Sequence, residues 1–132
     1  MTNNPNDKKE KRILLVDDEL DITRLVRMVL ENSGFVVDVY TDPILALSHF
    51  KAGSYDLILL DIRMPEINGL ELYQKMKQID NNAKVCFLTA SELFYEEYRR
   101  LEAHPWLDKA YFIQKPFRTE EMVDQIKAII FR

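Results

Sequence analysis

Four acidic side chains, a threonine and a lysine stand at the ends of apolar runs in this sequence. Asp17, Asp18 and Glu19 follow the run 13–16, and Asp61 comes directly after 56–60. Thr89 follows 84–88, and Lys115-Pro116 follows 110–114. Carboxylates brought close together repel one another, so protonation or a cation must compensate them. Aspartate oxygens with room for water suit Mg²⁺, which keeps part of its hydration shell. A lysine adds a mobile point charge. A metal, an ammonium and a hydroxyl around one carboxylate resemble a phosphoryl-transfer site. In such a site the carboxylate can be the nucleophile and end as an aspartyl phosphate. Asp61 is the candidate acceptor, and its neighbours would neutralise the transferred group.

That chemistry requires residues far apart in sequence to meet, and the periodicity says how. The run Ile13 to Val16 is short, apolar and bounded by charge. From Leu20 to Leu30 the period changes, with Ile22, Leu25, Val26, Val29 and Leu30 on one helical face. Gly34 is placed to end that helix in a left-handed cap. Phe35 to Tyr40 reads as a strand. Asp42-Pro43 reads as an N-cap followed by proline at the first helical position, opening a helix that runs towards Gly53. Asp56 to Leu60 is the third strand. Gly69 to Ile79 is helical, with Leu72, Tyr73, Met76 and Ile79 inward. Lys84 to Leu88 is the fourth strand. Ser91 can cap a helix carrying Phe94, Tyr98 and Leu101, and Ala110 to Gln114 is the fifth strand. Thr119 is expected to cap a last helix that turns Met122, Val123, Ile126, Ile129 and Ile130 inward.

Strand and helix therefore alternate about five times, and the strands are near-continuous apolar runs. A parallel sheet covered on both faces requires such runs. Right-handed crossovers then predict an α/β, doubly wound, five-stranded parallel sheet of order 2-1-3-4-5, a flavodoxin-like (βα)5 fold. Ligands bind such sheets beyond the carboxyl ends of the strands, at the switch point between the first and third. There Asp17, Asp18 and Asp61 should converge, with Thr89 and Lys115 approaching from the other side.

Composition sets the outer limits. The chain has 132 residues, 47% hydrophobic, which suits one domain with a real core. Its 22 acidic and 18 basic residues leave a net charge of −4, against non-specific nucleic-acid binding. No run approaches a membrane span, and the N-terminus does not read as a signal peptide. The single cysteine, Cys86, cannot form an internal disulfide and fits a reducing cytoplasm, where it reads as a buried hydrophobe. Residues 1–11 are polar and predict a disordered tail, leaving 12–132 as the domain. The chain stops soon after its last helix, so no output domain is expected to follow.

Taken in order, "ILLVDDE", "YDLILLDIRMPEINGLEL", "FLTA" and "FIQKPF" resemble the receiver domain of two-component response regulators, over roughly Arg12 to Arg132. Any single piece is weak, but four pieces in order, each at a strand end, are specific. The resemblance implies a single-domain signalling switch phosphorylated on Asp61. It implies Mg²⁺ held by Asp18, Asp61 and the backbone carbonyl of Arg63, with Asp17 acting through water. It also implies Thr89 and Lys115 as phosphate contacts and a cis peptide between Lys115 and Pro116. On phosphorylation Thr89 would be drawn towards the phosphoryl group and Phe112, three residues before the lysine, would turn inward. Many relatives carry tyrosine at Phe112, so a hydroxyl is missing here. The implied donor is a sensor histidine kinase or a phosphotransfer protein. The output passes to a downstream protein partner, a phosphorylation-dependent homodimer being one form it can take. The stretch "EAHPWLDKA" departs from the small-residue turn that relatives often show; Pro105 and Trp106 make the neighbouring partner surface bulkier.

Blander readings compete. Asp17 and Asp18 could simply cap the first helix, although Asp61 opposite them argues against it. Glu19 reads as solvent charge in the first turn. Arg63 is expected to be exposed, with an influence on how long a phosphoryl group lasts. His49 and His104 lack partners at ligand spacing. Tyr95, Tyr98, Arg99 and Arg100 read as a solvated face, with Glu96 and Arg100 paired along the helix. Three other functions fit less well. A docking module that works without phosphorylation would not need the chemical residues. An aspartate-nucleophile phosphohydrolase usually carries a second aspartate where Arg63 stands. Flavin mononucleotide binding needs a phosphate-cradling loop, whereas "DDELD" repels phosphate.

Overall fold

The computed structural model describes residues 10–90 and 112–131. Five strands, β1 (Arg12–Val16), β2 (Val36–Tyr40), β3 (Leu57–Asp61), β4 (Val85–Thr89) and β5 (Phe112–Gln114), form one sheet of order β2-β1-β3-β4-β5. All four neighbouring pairs are parallel. The helices are α1 (Leu20–Asn32), α2 (Pro43–His49), α3 (Gly69–Ile79) and α4 (Thr119–Ile130). This is the doubly wound arrangement that the alternation of elements predicted.

Successive strand residues point to opposite faces, and both faces are covered. Leu14, Val16, Ile58, Leu60, Phe87 and Phe112 join the core under α2 and α3, with Ala46, Leu72 and Met76. Ile13, Leu15, Leu57, Leu59, Cys86 and Ile113 join the opposite core, with Val26 and Leu30 of α1 and Met122 and Ile126 of α4. Polar residues on either face would have to be buried, so the inner strands β3 and β4 and most of β1 read as apolar runs, whereas the edge strand β2 carries the partly exposed Asp38 at its centre. Cys86 is fully buried, and that burial pushes its thiol pKa up, leaving it a core hydrophobe.

Local chemistry explains most boundaries. Gly34, at φ 97°, ends α1: its N–H donates to Glu31 O, and that of Phe35 to Leu30 O, the paired bonds of a Schellman motif. Asp42 caps α2, accepting from the N–H groups of Ile44 and Leu45. Helix α2 ends at His49, short of the expected Gly53. Phe50 leaves the helix at ψ 132° to bury its ring, which stacks on Tyr55 with centroids 6.4 Å apart. Thr119 is the first residue of α4 and not its cap, because the carbonyl of Arg118 already accepts the first helical bond, from Met122 N–H. Leu25 and Ile79, expected inward, remain 38% and 45% exposed. Each lies at the rim of an apolar stripe centred on Val26 or Met76. His49 is exposed and bonds the hydroxyl of Tyr40 at 3.3 Å.

The expected helix from Ser91, with Phe94, Tyr98 and Leu101, lies outside the described residues. So do His104, the Pro105–Trp106 surface, the Tyr95–Arg100 patch, Ala110 and most of the expected tail 1–11.

Candidate functional site

Sheet register assembles the site. Val16 pairs with Leu60, so Asp17 and Asp61 leave neighbouring strands side by side. Asp61 pairs with Leu88, and Thr89 with Gln114, which brings the ends of β4 and β5 alongside. The N–H of Lys115 donates to Thr89 O at 2.7 Å, and the Lys115–Pro116 peptide is cis. The Lys115 side chain turns back over the strand ends. Its Nζ lies 3.0 Å from Asp17 Oδ2, 3.0 Å from Glu19 Oε1 and 3.5 Å from Asp61 Oδ1.

Asp17, Asp61 and Thr89 are buried, whereas Asp18, Glu19 and the Arg63 side chain are exposed. Asp17 does part of what a helix cap would do: its Oδ1 accepts from Glu19 N–H at 2.9 Å. Its other oxygen faces Lys115. The carboxylate oxygens of Asp17, Glu19 and Asp61 lie within 4.8 Å of one another. Asp18, expected beside Asp61, is not a member of that trio, and Glu19, read from sequence as solvent charge, is. Phe112 is buried, its ring 5.1 Å from that of Phe87.

Burial raises Asp61 from the ordinary 3.8 to about 7, and the Asp17 charge adds to it. Lys115 and a backbone hydrogen bond from Arg63 only partly oppose that, and Asp18 pushes the same way. Burial likewise raises Asp17, against its bonds with Glu19 N–H and Lys115. Burial alone would lower Lys115, but its bonds to Glu19 and Asp17 outweigh this and hold it raised. One ammonium thus faces three carboxylates. The surplus negative charge, the hard oxygen donors and the open side at Asp18 and Glu19 are compatible with Mg²⁺.

A pH dependence follows. The carboxyl of Asp61 binds its proton more tightly folded than unfolded, so it favours folding fully below about pH 4 and loses that contribution as pH rises through about 7. A divalent cation needs the ionised form, and its binding therefore strengthens over the same interval. Melting curves with and without Mg²⁺ should diverge as pH rises from about 5 to about 8. An equal Mg²⁺ response at both ends would contradict the raised carboxyl.

Residues at and before the start of α3 also shape the site, and sequence reasoning missed their roles. Asn68 and Glu71 form a capping box at the start of α3: Asn68 Oδ1 accepts from Glu71 N–H at 2.9 Å, and Glu71 Oε1 from Asn68 N–H at 3.3 Å. The Asn-x-x-Glu spacing was the available signal. Replacing Asn68 by Ala should cost about 1 kcal/mol in urea denaturation. Gly69 follows, and a Cβ there would run into the Asp61 carbonyl oxygen and lie 2.9 Å from Ile62 Cα. Between Asp61 and α3, Glu66 at φ 70° sits at the centre of a tight turn closed by Ile67 N–H on Pro65 O.

Known proteins match this architecture. The family model for the response regulator receiver domain matches residues 13–127. The response regulator ArlR of Staphylococcus saprophyticus is 32% identical over 121 residues, which are 92% of this chain and 53% of that protein. The transcriptional regulatory protein TrcR of Mycobacterium tuberculosis is also 32% identical, over 92% of this chain and 46% of its own. The chain spans about half the length of these curated relatives. Among solved structures, the non-phosphorylated HemR receiver domain of Leptospira biflexa superposes with a TM-score of 0.79 at 28% identity, covering 92% of this chain and 94% of that one. The response regulator TrrA of Thermotoga maritima, solved in complex with Mg²⁺-BeF, gives 0.75 at 34% identity, covering 90% and 98%. Fold, strand-end carboxylates and sequence agree: the chain belongs to the response regulator receiver domain family of two-component systems.

Proposed function

We propose that this receiver domain takes a phosphoryl group onto Asp61 and signals through altered protein contacts. The observation that carries this reading is the convergence of Asp17, Asp61 and Lys115 at the carboxyl ends of three strands. An Asp61 oxygen attacks phosphorus, the bond to the donor nitrogen or oxygen breaks, and imidazole or acetate leaves. The Lys115 ammonium and the Thr89 hydroxyl take phosphoryl oxygens. Asp18, Asp61 and the Arg63 carbonyl would hold Mg²⁺, with Asp17 acting through water. Bound there, the ion would supply neutralisation of the negative charge that gathers during the transfer. The TrrA complex with Mg²⁺-BeF, 34% identical, supports Mg²⁺ as the metal. The Arg63 side chain, exposed at the rim, influences slow self-dephosphorylation.

Receiver domains interact with histidine kinases or phosphotransfer proteins. One of these is the proposed donor here, with a protein partner downstream and the cytoplasm as the place of action. No helix among the described residues is long and apolar enough to cross a membrane. Phe112 lacks a hydroxyl and already packs on Phe87, so its read-out runs through packing.

The test is incubation with acetyl phosphate, with and without Mg²⁺, followed by intact-mass measurement. The expected product is one added phosphoryl group, dependent on Mg²⁺, stable in acid and labile in base. An unchanged mass would favour docking without phosphorylation. Continued turnover of phosphate esters would favour a hydrolase.

A further inference from the structure

The start of α3 places separate demands on adjacent residues. Its cap needs a side-chain oxygen for the N–H of Glu71, and Asn68 Oδ1 accepts that bond at 2.9 Å. The next residue must carry no side chain, because a Cβ on Gly69 would collide with the main chain of Asp61 and Ile62. Asn-Gly meets both demands, and it is a chemically labile pair. Asparagine is a thermolabile residue, and glycine has no Cβ to shield its own nitrogen from the asparagine side chain. In an accessible Asn-Gly, the glycine nitrogen bonds to the asparagine Cγ and loses its proton, and the side-chain amide leaves as ammonia. Water then opens the cyclic imide. Breaking its bond at Cγ gives aspartate. Breaking its bond at the main-chain carbonyl gives isoaspartate, with the main chain rerouted through the side chain.

In the fold both reacting groups are committed elsewhere. Gly69 is buried, and its N–H donates to Ile62 O at 2.8 Å. Asn68 stands at ψ 166° with Oδ1 held by Glu71 N–H, and its own N–H donates to Glu71 Oε1 at 3.3 Å. Ring closure swings Cγ onto the Gly69 nitrogen, so it breaks the cap bond and the bond to Ile62. The cap bonds are exposed and few, and opening a helix end costs less than unfolding the domain. We propose that Asn68–Gly69 is a deamidation site gated by the first turn of α3, converting to aspartate or isoaspartate through local opening of that turn. The reaction needs water alone, neither Mg²⁺ nor a phosphoryl group. Aspartate at this position still caps α3. Isoaspartate lengthens the main chain just before Gly69 and so pulls its N–H away from Ile62.

The experiment incubates the full chain, unmodified and as Glu71→Ala and Asp42→Ala, in warm, mildly alkaline buffer with and without guanidinium chloride. Peptide mapping follows aspartate and isoaspartate at position 68. Glu71→Ala removes one bond of the capping box and keeps the reacting pair. Asp42→Ala removes the cap of α2, a comparable loss of global stability that leaves the α3 cap bonds in place. The denatured chain should convert at least about tenfold faster than the native one. Native Glu71→Ala should convert about two- to fivefold faster than the unmodified chain, the factor set by a weakened cap. Native Asp42→Ala should convert at the unmodified rate. Equal rates in the native and denatured chain overturn the proposal, because no gate then exists. Equal acceleration by both substitutions overturns it in favour of global unfolding as the route. A Glu71→Ala rate equal to the unmodified one, or no product at position 68 in the denatured chain, overturns it as well.

Discussion

Asp61→Asn should abolish phosphoryl uptake from acetyl phosphate while making the metal-free protein more stable. The two effects have one origin. Asparagine keeps the shape of the side chain but has no carboxylate oxygen with which to attack phosphorus. It also removes one of the two buried carboxylates that share Lys115. Burial and the Asp17 charge raise Asp61 to about 7, so ionising it near neutrality costs folding free energy. Relief of that repulsion should stabilise the variant by on the order of 1–3 kcal/mol in urea at pH 8 without Mg²⁺. At about pH 5 Asp61 is largely protonated and the advantage should shrink. Mg²⁺ should raise the melting temperature of the unmodified chain and have much less effect on the variant, because a charged ligand is gone. Residual uptake by Asp61→Asn would move the acceptor elsewhere. A variant less stable than the parent at pH 8 would mean that Lys115 over-compensates the carboxylates.

The residues behind that prediction were largely legible in sequence. A strand buried on both faces must be apolar throughout, so a carboxylate at its carboxyl end stands out, and register alone puts Asp17 beside Asp61. Periodicity likewise gave α1, α3 and α4, whose buried stripes are several turns long. Signals that depend on close tertiary contact were not legible. Glu19 looks like any acidic residue in a first helical turn, because the Lys115 side chain that meets it is 96 residues away. The early end of α2 depends on Phe50 finding Tyr55. Hydrophobic spacing places Leu25 and Ile79 on inner faces, but it does not show how wide a strip the sheet will cover.

Gly69 is the sharpest case of a requirement that sequence alone conceals, and it carries the second large expected effect. A glycine opening a helix is unremarkable, and intrinsic propensity favours alanine there. In the fold, however, α3 starts against the end of β3. Gly69 N–H donates to Ile62 O at 2.8 Å, and a Cβ would collide with the backbone carbonyl of Asp61. The obstruction is main chain, which cannot turn aside as a flexible side chain can. Gly69→Ala should therefore destabilise by about 3 kcal/mol, the upper end of the usual overpacking cost, despite the better propensity. Lys75→Ala, exposed on the same helix, should stay within about 0.5 kcal/mol. The strain falls on the residue that holds the proposed acceptor. The Gly69→Ala protein that remains folded should thus take up phosphoryl groups at least about tenfold more slowly, since a displacement near 1 Å can cost more than that. Unfolding in urea measures the first effect, and uptake per folded molecule the second. Normal stability would show that α3 can shift without cost. Normal uptake in a destabilised variant would show that Asp61 is positioned by β3 alone, independently of the helix that follows it.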